Sequence, residues 1–212
     1  MRAPKFWQRR GLRATALTPL GWVYDGLGRL RRAFGKCDQV SVPVICIGNV
    51  VAGGAGKTPT TFAVVDYLKR QGLNVHVLGY GYGGLEHGPL RVDPERHTFR
   101  HVGDEALLLA KVAPTWIGYD RRWAARLAVD QGADVLVMDD GFQYPFLHKD
   151  LNIVVVDGGY GLGNRKVIPA GPLRESLGRA DLRADHYLIV GEDTVDVSAA
   201  LPFEKIIRGR YH

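Results

Sequence analysis

The chain has 212 residues, 46% hydrophobic and 24% charged, with a formal net charge of +6. That balance belongs to a soluble globular fold and excludes a disordered chain, and the length suits one ordinary domain, or one and a fraction, with a real core. The two cysteines, Cys37 and Cys46, argue against a secreted disulfide scaffold or a zinc site and favour a reducing compartment. Cys46 lies in the apolar run 42–47 and reads as a buried small hydrophobe.

The charge is unevenly spread. Residues 1–36 hold nine basic side chains (Arg2, Lys5, Arg9, Arg10, Arg13, Arg29, Arg31, Arg32, Lys36) against one acid, Asp25, which leaves the remainder close to neutral. Phe6, Trp7, Leu17, Leu20, Trp22, Val23, Tyr24, Leu27, Leu30 and Phe34 are interleaved with that charge. The pattern suits an amphipathic helical arm lying on an anionic membrane surface. An ordinary amphipathic helix packed on the domain is the plainer alternative. Thr18, Pro19 and Gly21 interrupt the only stretch that could serve as a signal-peptide core, and the arm is too short and too charged to span a bilayer. Nucleic acid attracts the same charge, but no reader motif accompanies it, so a nucleic-acid partner is not expected. The expected organisation is a basic arm, 1–36, followed by a single domain, 37–212.

From residue 42 onward, short β-branched runs alternate with longer amphipathic stretches. Strands are expected at 42–47, 74–78, 115–117, 134–138, 152–156 and 186–190, and helices at 57–71, 104–113 and 121–131. Runs such as Val135-Leu136-Val137-Met138 are apolar throughout, as in strands covered on both faces. The alternation predicts an α/β fold with a mainly parallel sheet and helices on both faces. Two long polar loops remain, 79–103 and 158–183, and loops of that length are usually functional or mobile. Residues 205–208 look like the start of another strand.

The strongest motif is Val51-Ala52-Gly53-Gly54-Ala55-Gly56-Lys57-Thr58, set between a buried strand and a helix. Glycines let successive N–H groups turn toward phosphate oxygens, and the following helix presents its positive end. Lys57 would reach the β- and γ-phosphates of a nucleotide, and the Thr58 hydroxyl would ligate magnesium. Val51 stands where the usual pattern has its first glycine. A phosphate loop needs a metal-side acid at a neighbouring strand tip. Asp139, closing the run 135–138, is expected in the magnesium shell, and Asp140 in a supporting or catalytic role. The plainer reading of Asp139-Asp140-Gly141 is a polar turn. Asp104 opens a helix and reads as its N-cap. Arg174 and Glu175 follow the stiff Pro169-Ala170-Gly171-Pro172-Leu173 segment. Arg174 could neutralise transferring phosphate charge or form a structural salt bridge.

Taken together these motifs resemble the tetraacyldisaccharide 4′-kinase (lipid A 4′-kinase) family. The matching segments are Gly48-Asn49-Val50, residues 53–59, Gly81-Tyr82-Gly83-Gly84, Gly103-Asp104-Glu105, Asp139-Asp140-Gly141-Phe142-Gln143, Gly163-Asn164 and residues 169–175. The resemblance implies a P-loop NTPase-like fold and transfer of the ATP γ-phosphate, with Mg²⁺, to the 4′-hydroxyl of a tetraacyldisaccharide 1-phosphate. It implies a peripheral place on the cytoplasmic face of the bacterial inner membrane. It also implies Asp104 as general base, Asp139 as the strand-tip acid, and Arg174 and Glu175 as active-site residues, Glu175 on the metal side. The family's Ser-Arg is Gly79-Tyr80 here, which removes a cation, and a usual His is Tyr144. Family members are longer, so the chain is expected to lack their C-terminal lobe. Other readings are a different phosphate-loop NTPase or small-molecule kinase, or a nucleotide-binding fragment without turnover.

Overall fold

A computed structural model describes residues 4–9, 11–54 and 56–210. Ala55 of the expected loop, and Arg2 and Arg10 of the arm, lie outside the described residues. In chain order the elements are α1 (Leu12–Ala16), α2 (Thr18–Phe34), β1 (Val44–Gly48), α3 (Lys57–Arg70), β2 (Val75–Gly79), β3 (Leu90–Arg91), α4 (Phe99–Val102), α5 (Asp104–Ala110), β4 (Thr115–Ile117), α6 (Arg121–Asp130), β5 (Val135–Asp139), β6 (Leu151–Asp157), α7 (Leu177–Asp181), β7 (His186–Val190) and β8 (Ile206–Gly209). They fall into two compact units, one of residues 36–48 and 57–151, the other of residues 1–35, 49–56 and 152–212.

In the first unit the strand order is β3, β4, β2, β5, β1. The pairs β1–β5, β2–β5 and β2–β4 are parallel, while the short β3 runs antiparallel to β4. Strands that follow one another in sequence but are separated in the sheet need crossovers, and α3, α5 and α6 supply them. Successive strand side chains point to opposite faces. Leu78, Trp116, Leu136 and Met138 pack with Ala124, Ala125 and Ala128 of α6. Ile117 packs with Val102 of α4 and Ala106 of α5. Helices therefore cover both faces, as the unbroken apolar runs require, and each fully buried Leu or Met there contributes about 1.5–3 kcal/mol. Pairing of Ile47 with Asp139 and of Gly79 with Ile117 brings the C-terminal strand ends to one edge, where ligands of open α/β sheets bind.

In the second unit β6, β7 and β8 pair in parallel. The strand foreseen at 205–208 is β8. Helix α7 lies in the crossover between β6 and β7. The arm packs in this unit: Trp7 Nε1 donates to the Pro169 carbonyl at 3.0 Å, and Lys166 Nζ donates to Thr18 Oγ1 at 2.7 Å.

Several boundaries moved for identifiable reasons. The strand expected at 42–47 is Val44–Gly48, since Pro43 has no N–H and only its carbonyl joins the ladder, accepting from Leu136 N at 2.9 Å. Helix α5 stops at Ala110 instead of 113, because the Val112 and Ala113 amides turn back to Leu109 O ahead of Pro114. The loop 79–103 contains β3 and α4, and the loop 158–183 contains α7, all too short to carry a period. Asp104 is not the N-cap of α5. Gly103 holds that place at φ 83°, and Asp104 is the first helical residue, its Oδ1 accepting from Glu105 N at 2.9 Å. A Cβ on Gly103 would lie 2.3 Å from Tyr82 O, so neither backbone angle nor space admits an aspartate.

Gly103→Ala is accordingly expected to destabilise the protein by about 2–5 kcal/mol, combining left-handed strain with overpacking. Gly72 has the same φ of 83° but nothing within 4 Å of a new Cβ. Gly72→Ala should therefore cost only the strain, about 1–2 kcal/mol. Denaturant titration of the two variants separates the contributions, and equal losses would contradict the Gly103 clash.

Candidate functional site

The glycine loop lies in the second unit and is fixed by its neighbours in that unit. Asn49 is fully buried and its Nδ2 donates to Val51 O at 2.7 Å and Gly53 O at 3.0 Å. An N–H-lined concavity needs its carbonyls directed elsewhere, and Asn49 holds two of them. Val51 bridges Leu173 in antiparallel fashion, Ala52 N donates to Pro172 O at 2.8 Å, and Arg174 N donates to Val50 O at 2.7 Å. Val51 is buried in this pairing and keeps a negative φ, so no glycine is needed there. Gly53 and Gly56 do require one, at φ 129° and 78°. Nothing lies within 4 Å of a Cβ built on Gly53 or Gly54, so their backbone stays open to close approach.

In the first unit, α3 begins at Lys57, which is 9% exposed and places Nζ 3.9 Å from Asp140 Oδ2. Thr58 is half-buried. One turn on, Thr61 Oγ1 donates to Asp139 Oδ1 at 2.8 Å, binding the helix to the tip of β5. Asp139 is 4% exposed. Burial pushes its carboxyl above the usual range; the Thr61 bond and the Lys57 charge oppose the shift, and the Asp140 charge adds to it. Glu105 is also pushed up, first by burial and then by Asp139, with Lys57 opposing, so the start of α5 faces the same acids. Asp104 is exposed beside it.

The turn after β5 is built for close approach. Asp140 takes φ 49°, a left-handed angle that aspartate tolerates. A Cβ on Gly141 would meet Met138 Sδ at 2.0 Å, and one on Gly48 would meet Phe142 Cβ at 2.5 Å. The segment is thus a tight polar turn that holds two acids at the C-terminal edge of the sheet.

Arg121, the first residue of α6, is a candidate site residue that sequence reasoning missed. It is 4% exposed, and Nη1 donates to the Asp140 carbonyl at 3.1 Å. Its guanidinium lies between the rings of Tyr80 and Tyr144, 5.7 and 5.5 Å from their centroids. Tyr80 stacks on Tyr119, which stacks on His87. Arg121 Nε is buried without a hydrogen-bond partner. Burial lowers its pKa, against the raising charge of Asp140. The guanidinium is thus held by ring faces and a backbone carbonyl, with the Asp140 carboxylate near enough to favour its charge. Tyr80 and Tyr144 are the rings that hold it. An arginine opening an amphipathic helix looks like surface charge, so only packing reveals it.

Arg174 and Glu175 belong to the second unit. Glu175, expected on the metal side, is 2% exposed, and its Oε2 contacts Arg183 Nη2 and lies 3.6 Å from Arg32 Nη2. Among the described residues no three His, Cys, Asp or Glu side chains cluster as a metal site. A cation carried mainly by substrate phosphates needs only one or two protein oxygens.

A buried strand, a glycine loop, a helix opening on Lys57-Thr58 and an acid-tipped parallel strand bonded to that helix are the parts of a P-loop NTPase-like fold. The tetraacyldisaccharide-1-phosphate 4′-kinase model matches residues 13–206, and the chain belongs to that family. It is 49% identical over 202 residues to the tetraacyldisaccharide 4′-kinase of Rhodospirillum rubrum, covering 95% of this chain and 61% of that protein. Against the same enzyme of Rhodospirillum centenum it is 49% identical over 219 residues, covering 99% and 64%. The crystal structure of Aquifex aeolicus LpxK in complex with ATP superposes with a TM-score of 0.75 at 31% identity, over 87% of this chain and 60% of that one. The chain thus spans about three fifths of the length of these relatives.

Proposed function

We propose that the chain binds ATP with magnesium and transfers the γ-phosphate to the 4′-hydroxyl of a tetraacyldisaccharide 1-phosphate. The observation that carries this reading is the bond from Thr61 to Asp139, which ties the helix opening on Gly56-Lys57-Thr58 to an acid-tipped strand. Residues 51–58 cradle the phosphates through backbone N–H groups, and Lys57 reaches the β- and γ-phosphates. The Thr58 hydroxyl and the Asp139 carboxylate, both hard oxygen donors, fit a magnesium ion shared with the nucleotide. When bound, the ion neutralises charge developing on the phosphate oxygens.

Arg174 adds positive charge where the transferred group carries its own, and in the other unit Arg121 holds its guanidinium at the Asp140 carbonyl. Asp140 keeps Lys57 in place. Asp104, exposed at the head of α5, takes the proton of the sugar hydroxyl as general base. Glu175 already contacts two guanidiniums, and we read it as positioning Arg174 and the loop paired with that segment. Isothermal titration of the chain with ATP should show saturable binding that strengthens with magnesium. Absence of such binding in a folded sample would overturn the reading.

The arm serves the same function as a peripheral anchor on the cytoplasmic face of the inner membrane. No helix of the described residues is long and apolar enough to cross a membrane. Helix α2 exposes Leu20, Val23, Leu27, Leu30 and Phe34 along one stripe, with exposed Arg31 beside it and Arg29 further round the helix. Apolar side chains flanked by arginines match a bilayer with anionic headgroups. The double variant Leu27→Asp, Phe34→Asp should lower co-sedimentation with phosphatidylglycerol vesicles by about tenfold or more. Unchanged sedimentation would refute docking through this stripe.

A further inference from the structure

Helix α2 carries a second stripe on the side away from its exposed apolar one. Gly21, Asp25, Gly28 and Arg32 recur at i, i+4, i+7 and i+11 and so share a face. Gly21 is buried, and a Cβ there would lie 2.9 Å from the Val167 carbonyl. Asp25 Oδ1 accepts from Arg179 Nη1 at 3.1 Å and from Ser176 N at 3.3 Å, while its carbonyl accepts from Arg179 Nη1 at 2.9 Å. Arg32 meets Glu175, whose carboxylate Arg183 also holds. The segment they grip is the one paired with the glycine loop, through Pro172 O to Ala52 N, Leu173 to Val51, and Arg174 N to Val50 O. An unbroken chain of contacts therefore runs from α2, through residues 172–179, to residues 50–52.

We propose that Asp25 and Arg32 are positioning residues for the phosphate loop: α2 braces that loop through the 172–179 segment. The helix whose outer face meets lipid thereby sets the loop geometry on its inner face. A surface arm acting only as an anchor has no need of charges directed inward. Here both inward charges close ion pairs with half-buried or buried partners, and breaking either removes a counter-charge from a partner that water reaches poorly. This inference rests on the proposed binding of ATP by residues 51–58.

The test uses the full chain and the variants Asp25→Asn and Arg32→Gln, with Arg96→Gln as control. Arg96 is strongly exposed and, among the described residues, pairs with neighbouring Asp93. Each α2 variant is expected to weaken magnesium–ATP binding by about tenfold, with circular dichroism and vesicle sedimentation unchanged. Arg96→Gln should bind as the parent does. Exchanging the charges, Asp25→Arg with Arg179→Asp, should recover part of the affinity lost by Asp25→Arg alone. Amide hydrogen exchange supplies a readout independent of nucleotide. Exchange at Ala52 and Arg174 should rise in both variants, while that at Val77 in the other unit stays fixed. Unchanged exchange at Ala52 and Arg174 overturns the brace, and so does parental ATP affinity in both variants. If the parent itself binds no ATP, the nucleotide reading fails, while the exchange data still decide whether α2 braces the loop.

Discussion

Lys57→Ala is expected to weaken magnesium–ATP binding by at least about a hundredfold, equivalent to about 2.7 kcal/mol, and to abolish phosphoryl transfer. Lys57 opens α3 with its ammonium almost wholly enclosed, 3.9 Å from Asp140. Alanine removes the cation that meets the phosphates and takes away one of the charges that offset Asp140. Both effects act in the same direction. Circular dichroism should be unchanged, because the helix backbone does not depend on that ammonium. Titration calorimetry checks the affinity, and a loss smaller than about threefold would remove Lys57 from the site.

Asp139→Asn is expected to separate stability from function. The folded-state pKa of Asp139 is raised, mainly by burial, so the native fold disfavours the ionised form. Ionised Asp139 therefore costs stability at neutral pH, and that cost is relieved as pH falls through the raised pKa. Asparagine can still accept from Thr61 and carries no charge. The variant should melt about 2–4 °C higher at neutral pH, corresponding to about 1 kcal/mol, while ATP binding loses its magnesium dependence. In the parent, that dependence should fade at a higher pH than an ordinary surface aspartate would set. Thermal scans and titrations with and without magnesium test both halves. A lower midpoint, or retained magnesium dependence, would contradict the assigned role.

What could be foreseen in the sequence follows from how local each feature is. The glycine loop, the Lys57-Thr58 helix start and the acid after 135–138 each depend on a few contiguous residues, so composition and spacing expose them. Residues 115–117 and 186–190 form strands with the expected bounds, because short runs rich in aromatic and β-branched residues are read without knowing their neighbours. Arg121 is different. Its meaning comes from Tyr80 after β2 and Tyr144 after β5, which only the sheet order brings beside the start of α6. Asn49 looks like one polar residue ending an apolar run, and its role appears only when the loop curls back on it. Asp104 resembled a cap because acids favour both the N-cap and the first turn. The left-handed Gly103, hard against Tyr82 O, settles which position it holds. Glu175 was legible as a motif residue but not as the meeting point of Arg32 and Arg183, which lie far from it or outside its motif.

The most direct test of the kinase reading is transfer of label from [γ-³²P]ATP to tetraacyldisaccharide 1-phosphate in mixed micelles with magnesium. The reading predicts labelled lipid carrying phosphate at the 4′-oxygen, formed by the parent chain and absent with Lys57→Ala. Magnesium-dependent ATP binding with no labelled lipid above that control would contradict it.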